Sequence, residues 1–158
     1  MKVQTYSMFE GNFQSPPPVI DRSVNIMMFR DPDENEYTIM INRATLENEQ
    51  DIESFCELQI GELKNKLPGY QQDGKLLKNV IGPAKLPVVQ IANHYLQDGA
   101  TVNQVQTVMK LPWHAEHNVD EREVIIFTLY ARGEYSEFQR KHYVQVINTF
   151  QPQTSLMD

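Results

Sequence analysis

The stretch that most constrains this chain is Val124 to Tyr130, VIIFTLY. Successive side chains of a strand point to opposite faces. Here both faces are apolar, so the predicted strand, Glu123 to Ala131, must be central in its sheet, with cover above and below. The rest of the chain has to supply that sheet and its two covers.

Asp21 to Arg43, DRSVNIMMFRDPDENEYTIMINR, reads as an antiparallel hairpin. Its two loosely alternating runs flank Asp31-Pro32-Asp33-Glu34-Asn35, which has the composition of a turn. Val24, Ile26 and Met28 fall on one face of the first arm, and Thr38, Met40 and Asn42 share a face of the second. Neither face of the hairpin is polar throughout, so it too needs apolar partners on both sides.

Two helices are predicted. The first runs from about Gln50 to Lys66 after the acidic lead Glu47, Glu49 and Asp51, which suits a helix N-terminus. Leu67-Pro68-Gly69 ends it. Ile52, Cys56, Gln59, Leu63 and Leu67 form one stripe at three- and four-residue spacing, with Phe55, Leu58 and Glu62 beside it. The second helix, Ser136 to Phe150, opens on a capping box of Ser136 and Gln139. Phe138, Tyr143, Val146, Ile147 and Phe150 give it an apolar face.

The remaining strands are Val3 to Phe13, Lys75 to Ile81, and a long hairpin of Pro87 to Leu96 and Thr101 to Leu111 closed by Gln97-Asp98-Gly99-Ala100. Val102, Gln104, Gln106 and Val108 share a face of its second arm. Pro16-Pro17-Pro18 reads as a stiff surface loop. The order strands, helix, strands, helix gives an α+β fold: an antiparallel sheet of about six or seven strands with two helices. Residues 1–150 form one domain, and 151–158 a flexible C-terminal tail.

The net charge of −7, with no basic stripe, argues against nucleic acid and anionic membranes as partners. No apolar leader precedes Gln14, and the apolar runs are too short to span a bilayer, so the expected location is the cytoplasm. Cys56 is the single cysteine, so no internal disulfide forms.

Nothing in the chain points to catalysis. Cys56 sits among apolar neighbours in a helix, the setting of a structural thiol. His114-Ala115-Glu116-His117 lies in a loop without a further ligand at metal-binding spacing. The acidic turn around Asp31, Asp33, Glu34 and Glu36 lacks a calcium loop's spacing and glycine. Gly82, Gly99 and Gly133 stand alone, so no phosphate loop is present. The expectation is a binding protein, not an enzyme, with no metal and no cofactor.

One set of residues stays coherent: Val24, Ile26 and Met28; Thr38, Met40 and Asn42; Gln59, Leu63 and Leu67; and Gln106. They are either core or one aliphatic concavity bearing a few amide and hydroxyl groups. Polar groups scattered through a core are costly unless each is satisfied. In a groove for an apolar helix they would hydrogen-bond across to it.

DRSVNI, TIMINR, LQIGELKNKLPGY and VNQVQ, in that order and spacing, resemble the DcrB-related Eag chaperones of bacterial type VI secretion systems. The likeness runs from about Tyr6 to Phe150. It implies a PsbP-like α+β fold and a claw-shaped cytoplasmic homodimer. It also implies a client: the N-terminal transmembrane segments of PAAR-containing or Rhs effectors, shielded before loading on the secretion spike. Family groove positions fall on Val24, Ile26, Thr38, Met40, Asn42, Gln59, Leu63, Leu67 and Gln106. Asn42 and Leu63 stand where relatives are expected to carry smaller residues. The reading from a different class is a carrier or sensor for a small apolar ligand.

Overall fold

A computed structural model describes residues 2–154. The main sheet has seven antiparallel strands. They are β3 (Asn25–Arg30), β4 (Glu36–Thr45), β5 (Gln71–Gln72), β6 (Leu77–Ile81), β7 (Leu86–Gln97), β8 (Ala100–Lys110) and β9 (Glu123–Arg132). Ahead of them, β1 (Gln4–Met8) and β2 (Gly11–Ser15) form a separate two-stranded hairpin. The order across the main sheet is β3-β4-β9-β8-β7, with β5 and β6 both paired to β7. The α+β class and the strand number follow the sequence expectation.

The VIIFTLY strand is β9, flanked by the ten-residue β4 and the eleven-residue β8. Its two apolar faces receive two different helices. Ile125, Phe127 and Leu129 join Tyr37, Ile39, Val88 and Met109 in one core, closed by Tyr143 and Ile147 of α2 (Glu137–Thr149). Val124 and Ile126 join Leu46, Val89, Ile91 and Val108 in the other, closed by Cys56 and Ile60 of α1 (Ile52–Lys66).

Local chemistry sets the element ends. Asp51 caps α1 by accepting from the Ser54 N–H at 2.8 Å. At the other end Gly69 takes φ 64°, and a Cβ there would stand 3.0 Å from Leu96. The Asp98-Gly99 turn has φ of 51° and 78°, the paired positive values of the tight turn that suits a twisted hairpin. The capping box of Ser136 and Gln139 is present.

Two expectations change in detail. Val3 to Phe13 is a hairpin, not one strand. Met8 pairs with Gly11 across the turn, and Tyr6 stacks on Phe13 with ring centroids 5.1 Å apart. On α1 the predicted stripe splits in two. Ile52, Cys56 and Ile60, spaced by four, face the sheet, whereas Gln59, Leu63 and Leu67 run along the helix flank. The tail expected over Gln151 to Asp158 lies in part outside the described residues. Gln151, Pro152 and Gln153 line a depression with Leu111, Pro112 and His114.

Helix α2 is pinned by polar contacts as well as by packing. The Tyr143 hydroxyl donates to the Phe127 carbonyl at 2.9 Å and lies 2.6 Å from Thr107 Oγ1. Tyr37 Oη lies 2.7 Å from His142 Nδ1. Asp31, buried in the β3–β4 turn, accepts from the backbone N–H groups of Asn35 (2.9 Å) and Asp33 (3.0 Å) and from Gln139 Nε2 (3.2 Å). The backbone N–H bonds, that of Asn35 foremost and that of Asp33 with it, hold its carboxyl below the ordinary carboxylate range. A carboxylate whose folded pKa is depressed contributes stability above its unfolded pKa, about 3.9, and loses it as pH falls. The melting temperature should therefore drop as pH falls through that range. Asp31→Asn should melt lower at neutral pH and show a shallower acid decline, as read by circular dichroism.

Candidate functional site

The two helices cover their faces unequally. On the α1 face the helix lies over β7 and β8, leaving the β3–β4 end of the sheet open. Strand pairing places the residues there. Ile26 pairs with Met40 and Met28 with Thr38 across β3–β4. Met40 pairs with Thr128 and Asn42 with Ile126 across β4–β9. Gln106 pairs with Thr128 and Gln104 with Tyr130 across β8–β9. Residues directly opposite in an antiparallel pair share a face. All of these side chains therefore belong to the α1 face.

Between α1 and the open strands runs a groove made of two depressions. One, of about 290 Å³, is lined by Gln59, Glu62, Leu63 and Leu67 of α1 and by Asn42, Tyr95, Gln104, Gln106, Ile126 and Tyr130 of the sheet. The other, of about 270 Å³, is lined by Met28, Thr38, Tyr95, Val102 and Tyr130, with Glu36 and Arg132 at its end. Tyr95 and Tyr130 belong to both and join them. Of the ten residues expected at the site, seven line these depressions: Met28, Thr38, Asn42, Gln59, Leu63, Leu67 and Gln106. Ile26 and Met40 lie beside them on the open strands and Val24 just ahead of β3, with Ile26 67% exposed.

The floor is polar and uncharged. Gln106 is 9% exposed and its Oε1 has no hydrogen-bond partner; Thr128 beside it is fully buried and its Oγ1 has none either. Burial pushes the Tyr130 phenol up to about 12 and raises Tyr95 as well, so both stay protonated at neutral pH. The walls are aliphatic, from Met28, Leu63, Leu67 and Ile126. Such a surface can cover an apolar body and offer it neutral hydrogen-bonding groups.

Sequence reasoning missed Tyr95, Tyr130, Val102 and Gln104. Tyr130 was within reach, because it shares a face with Thr128 by strand parity. Val102 and Gln104 carried the alternation that marked Gln106. Tyr95 depends on the β7–β8 register, which no local pattern states.

The other candidate chemistries resolve into structure. Among the described residues no group of three or more His, Cys, Asp or Glu side chains is placed to hold a metal. His114 stacks on His117 at 4.5 Å, and its Nδ1 accepts from the backbone N–H groups of Glu116 and His117. Cys56 is buried in the α1 core, and desolvation pushes its thiol up to about 12.

The family model for DcrB matches residues 10–149. The chain belongs to the DcrB family. The fold is shared with a Pseudomonas aeruginosa protein of unknown function, at TM-score 0.70 and 16% identity over 97% of this chain and 99% of that one. LpqN of Mycobacterium tuberculosis, involved in cell envelope biogenesis, aligns at TM-score 0.48 and 18% identity over 81% of each chain. No curated protein matches the chain. Among the described residues no helix is long and apolar enough to cross a membrane.

Cys56 gives a direct check on the α1 core. A thiolate is the reactive form of cysteine, so a thiol reagent at pH 8 should leave the native protein unlabelled and label one site per chain in denaturant.

Proposed function

We propose that this DcrB-family protein is a chaperone for an apolar transmembrane helix, in the manner of the Eag proteins that its motifs resemble. The client is the N-terminal hydrophobic region of a PAAR-containing or Rhs-type type VI effector, held in the cytoplasm by a homodimer of this chain until loading on the spike. No metal, nucleotide or catalytic step takes part.

The observation that carries this reading is the open half of the α1 face: an aliphatic groove with a neutral polar floor and exposed Val24, Ile26 and Met28 along one side. A membrane-spanning helix exposes about twenty apolar residues and aggregates in water. Covering it gains on the order of 25 cal/mol per Å² removed from water. Methionines at Met28 and Met40 suit a surface that must adapt to its client. The linked depressions are shallow and open, which favours an elongated client over an enclosed small ligand.

The test pairs stability with binding. Ile26→Asp and Leu63→Asp place a charge on the groove. In the free protein each should cost no more than about 1 kcal/mol, as for a surface change. In the complex the charge faces an apolar helix unpaired and should weaken binding by orders of magnitude. Melting of the variants and pull-down of an effector's N-terminal fragment read the two effects. A folded Ile26→Asp protein that still keeps the fragment in solution overturns the proposal.

A further inference from the structure

Across the sheet from the groove, the α2 face carries another concavity, of about 300 Å³, that the chaperone reading does not use. Its apolar walls are Leu111, Pro112, Phe150 and Pro152, and its polar lining includes Arg43 of β4 and His114. Leu111 and Phe150 also pack on the α2 core, and Phe150 meets Phe127 edge to face at 5.4 Å. The loop side is fixed as well. Asn118 donates to the carbonyls of Leu111 (3.0 Å) and Pro112 (2.8 Å), accepts from the Glu123 N–H, and exchanges two backbone bonds with His114. Walls held at this many points are preorganised for a ligand.

No acidic side chain lines this cavity, although the chain's net charge is −7. Arg43 is half-buried, and among the described residues no ion pair includes it. The acids of its neighbourhood are engaged: Glu123 accepts from Thr45 Oγ1 at 2.7 Å, and Asp21 from Tyr6 Oη at 2.6 Å. Arg43 gives Nη1 to the Ser23 carbonyl at 2.9 Å. Its Nε and Nη2 remain, the side-on edge of the guanidinium, whose parallel N–H groups match the two oxygens of a carboxylate. His114 Nδ1 accepts two backbone N–H groups, so the neutral ring carries its proton on Nε2, a second donor. His117 adds no unopposed charge, since Glu116 Oε2 stands 4.0 Å from its Nε2. The negative end of α2 does not oppose an anion either. The carbonyls of Ile147, Asn148 and Phe150 lie beside Gly82, outside the lining.

We propose that this cavity binds a small carboxylate with an apolar body, the carboxylate on Arg43 and the body between Phe150 and the two prolines. The unpaired guanidinium selects an anion. The apolar walls select an organic acid over inorganic phosphate. The volume, at the lower end of small-molecule sites, selects a small molecule over a protein segment. The site does not rest on the chaperone reading.

Phenylacetate is the probe, with phenylacetamide as its uncharged counterpart and inorganic phosphate as the charge without the body. Isothermal titration calorimetry on the full chain should show saturable binding of phenylacetate, with the other two weaker by about tenfold or more. Trp113, the single tryptophan, stands between Pro112 and His114 in the chain, so its emission should change along the same curve. Arg43→Gln keeps a donor for the Ser23 carbonyl and removes the charge, and should weaken phenylacetate binding by about tenfold. Gln151→Glu, at an exposed lining position, supplies an acid that competes for Arg43 and should also weaken binding while leaving the melting temperature unchanged. Leu63→Asp, in the groove, should bind phenylacetate as the wild type does, whatever becomes of the effector fragment. No binding by the wild type, equal binding of the amide, or wild-type affinity in either lining variant overturns the proposal and leaves the chaperone reading untouched.

Discussion

Everything in this molecule depends on β9 being apolar on both faces. Ile125, Phe127 and Leu129 need one cover and Val124 and Ile126 another. A sheet flanked by a helix on each side answers both needs, since a strand buried on two sides cannot lie at a surface. The covers are not equivalent. Helix α2 is fastened at several points along its length: Gln139 to Asp31, His142 to Tyr37, and Tyr143 to Phe127 and Thr107. Helix α1 rests on β7 and β8, and the β3–β4 end of its face keeps no cover.

That asymmetry turns a packing problem into a site. Had α1 lain across β4, Met40 and Asn42 would be ordinary core positions. Because it does not, Gln59, Leu63 and Leu67 line a wall facing Asn42, Gln104 and Gln106. The same helix divides its labour by residue spacing. Ile52, Cys56 and Ile60 hold it to the sheet, and the flank beside them is left for the groove.

Much of this was legible in the sequence because its signals are local and periodic. Parity alone placed Ile26 with Met28 and Thr38 with Asn42. The capping box at Ser136 and the Asp98-Gly99 turn marked their elements. What was not legible depends on register or on which of two neighbouring helical rows touches the sheet. Ile60 is one such position: a step of three from Cys56 leads to Gln59 and a step of four to Ile60, and both rows obey helical spacing. The Phe9-Glu10 turn sits in a short stretch with Tyr6 and Met8 before it and Phe13 after it, so β1 and β2 read as one strand. Tyr95 enters the groove only through the pairing of Tyr95 with Val102.

The polar floor bears on how such a groove coexists with water. A wholly aliphatic trough on a monomer surface would invite indiscriminate association. Thr38, Asn42 and Gln59, all partly exposed, interrupt it with groups that water can serve when the groove is empty. Gln106 Oε1 and Thr128 Oγ1 are buried without a protein partner, a cost the folded chain carries while the groove is empty. On the chaperone reading, an occupant that met Gln106, which lines the groove, with a hydroxyl or small polar group would relieve part of that cost, whereas a purely aliphatic one would not. Aliphatic walls then supply affinity in proportion to area, and the unmet polar atoms supply discrimination between one apolar helix and another.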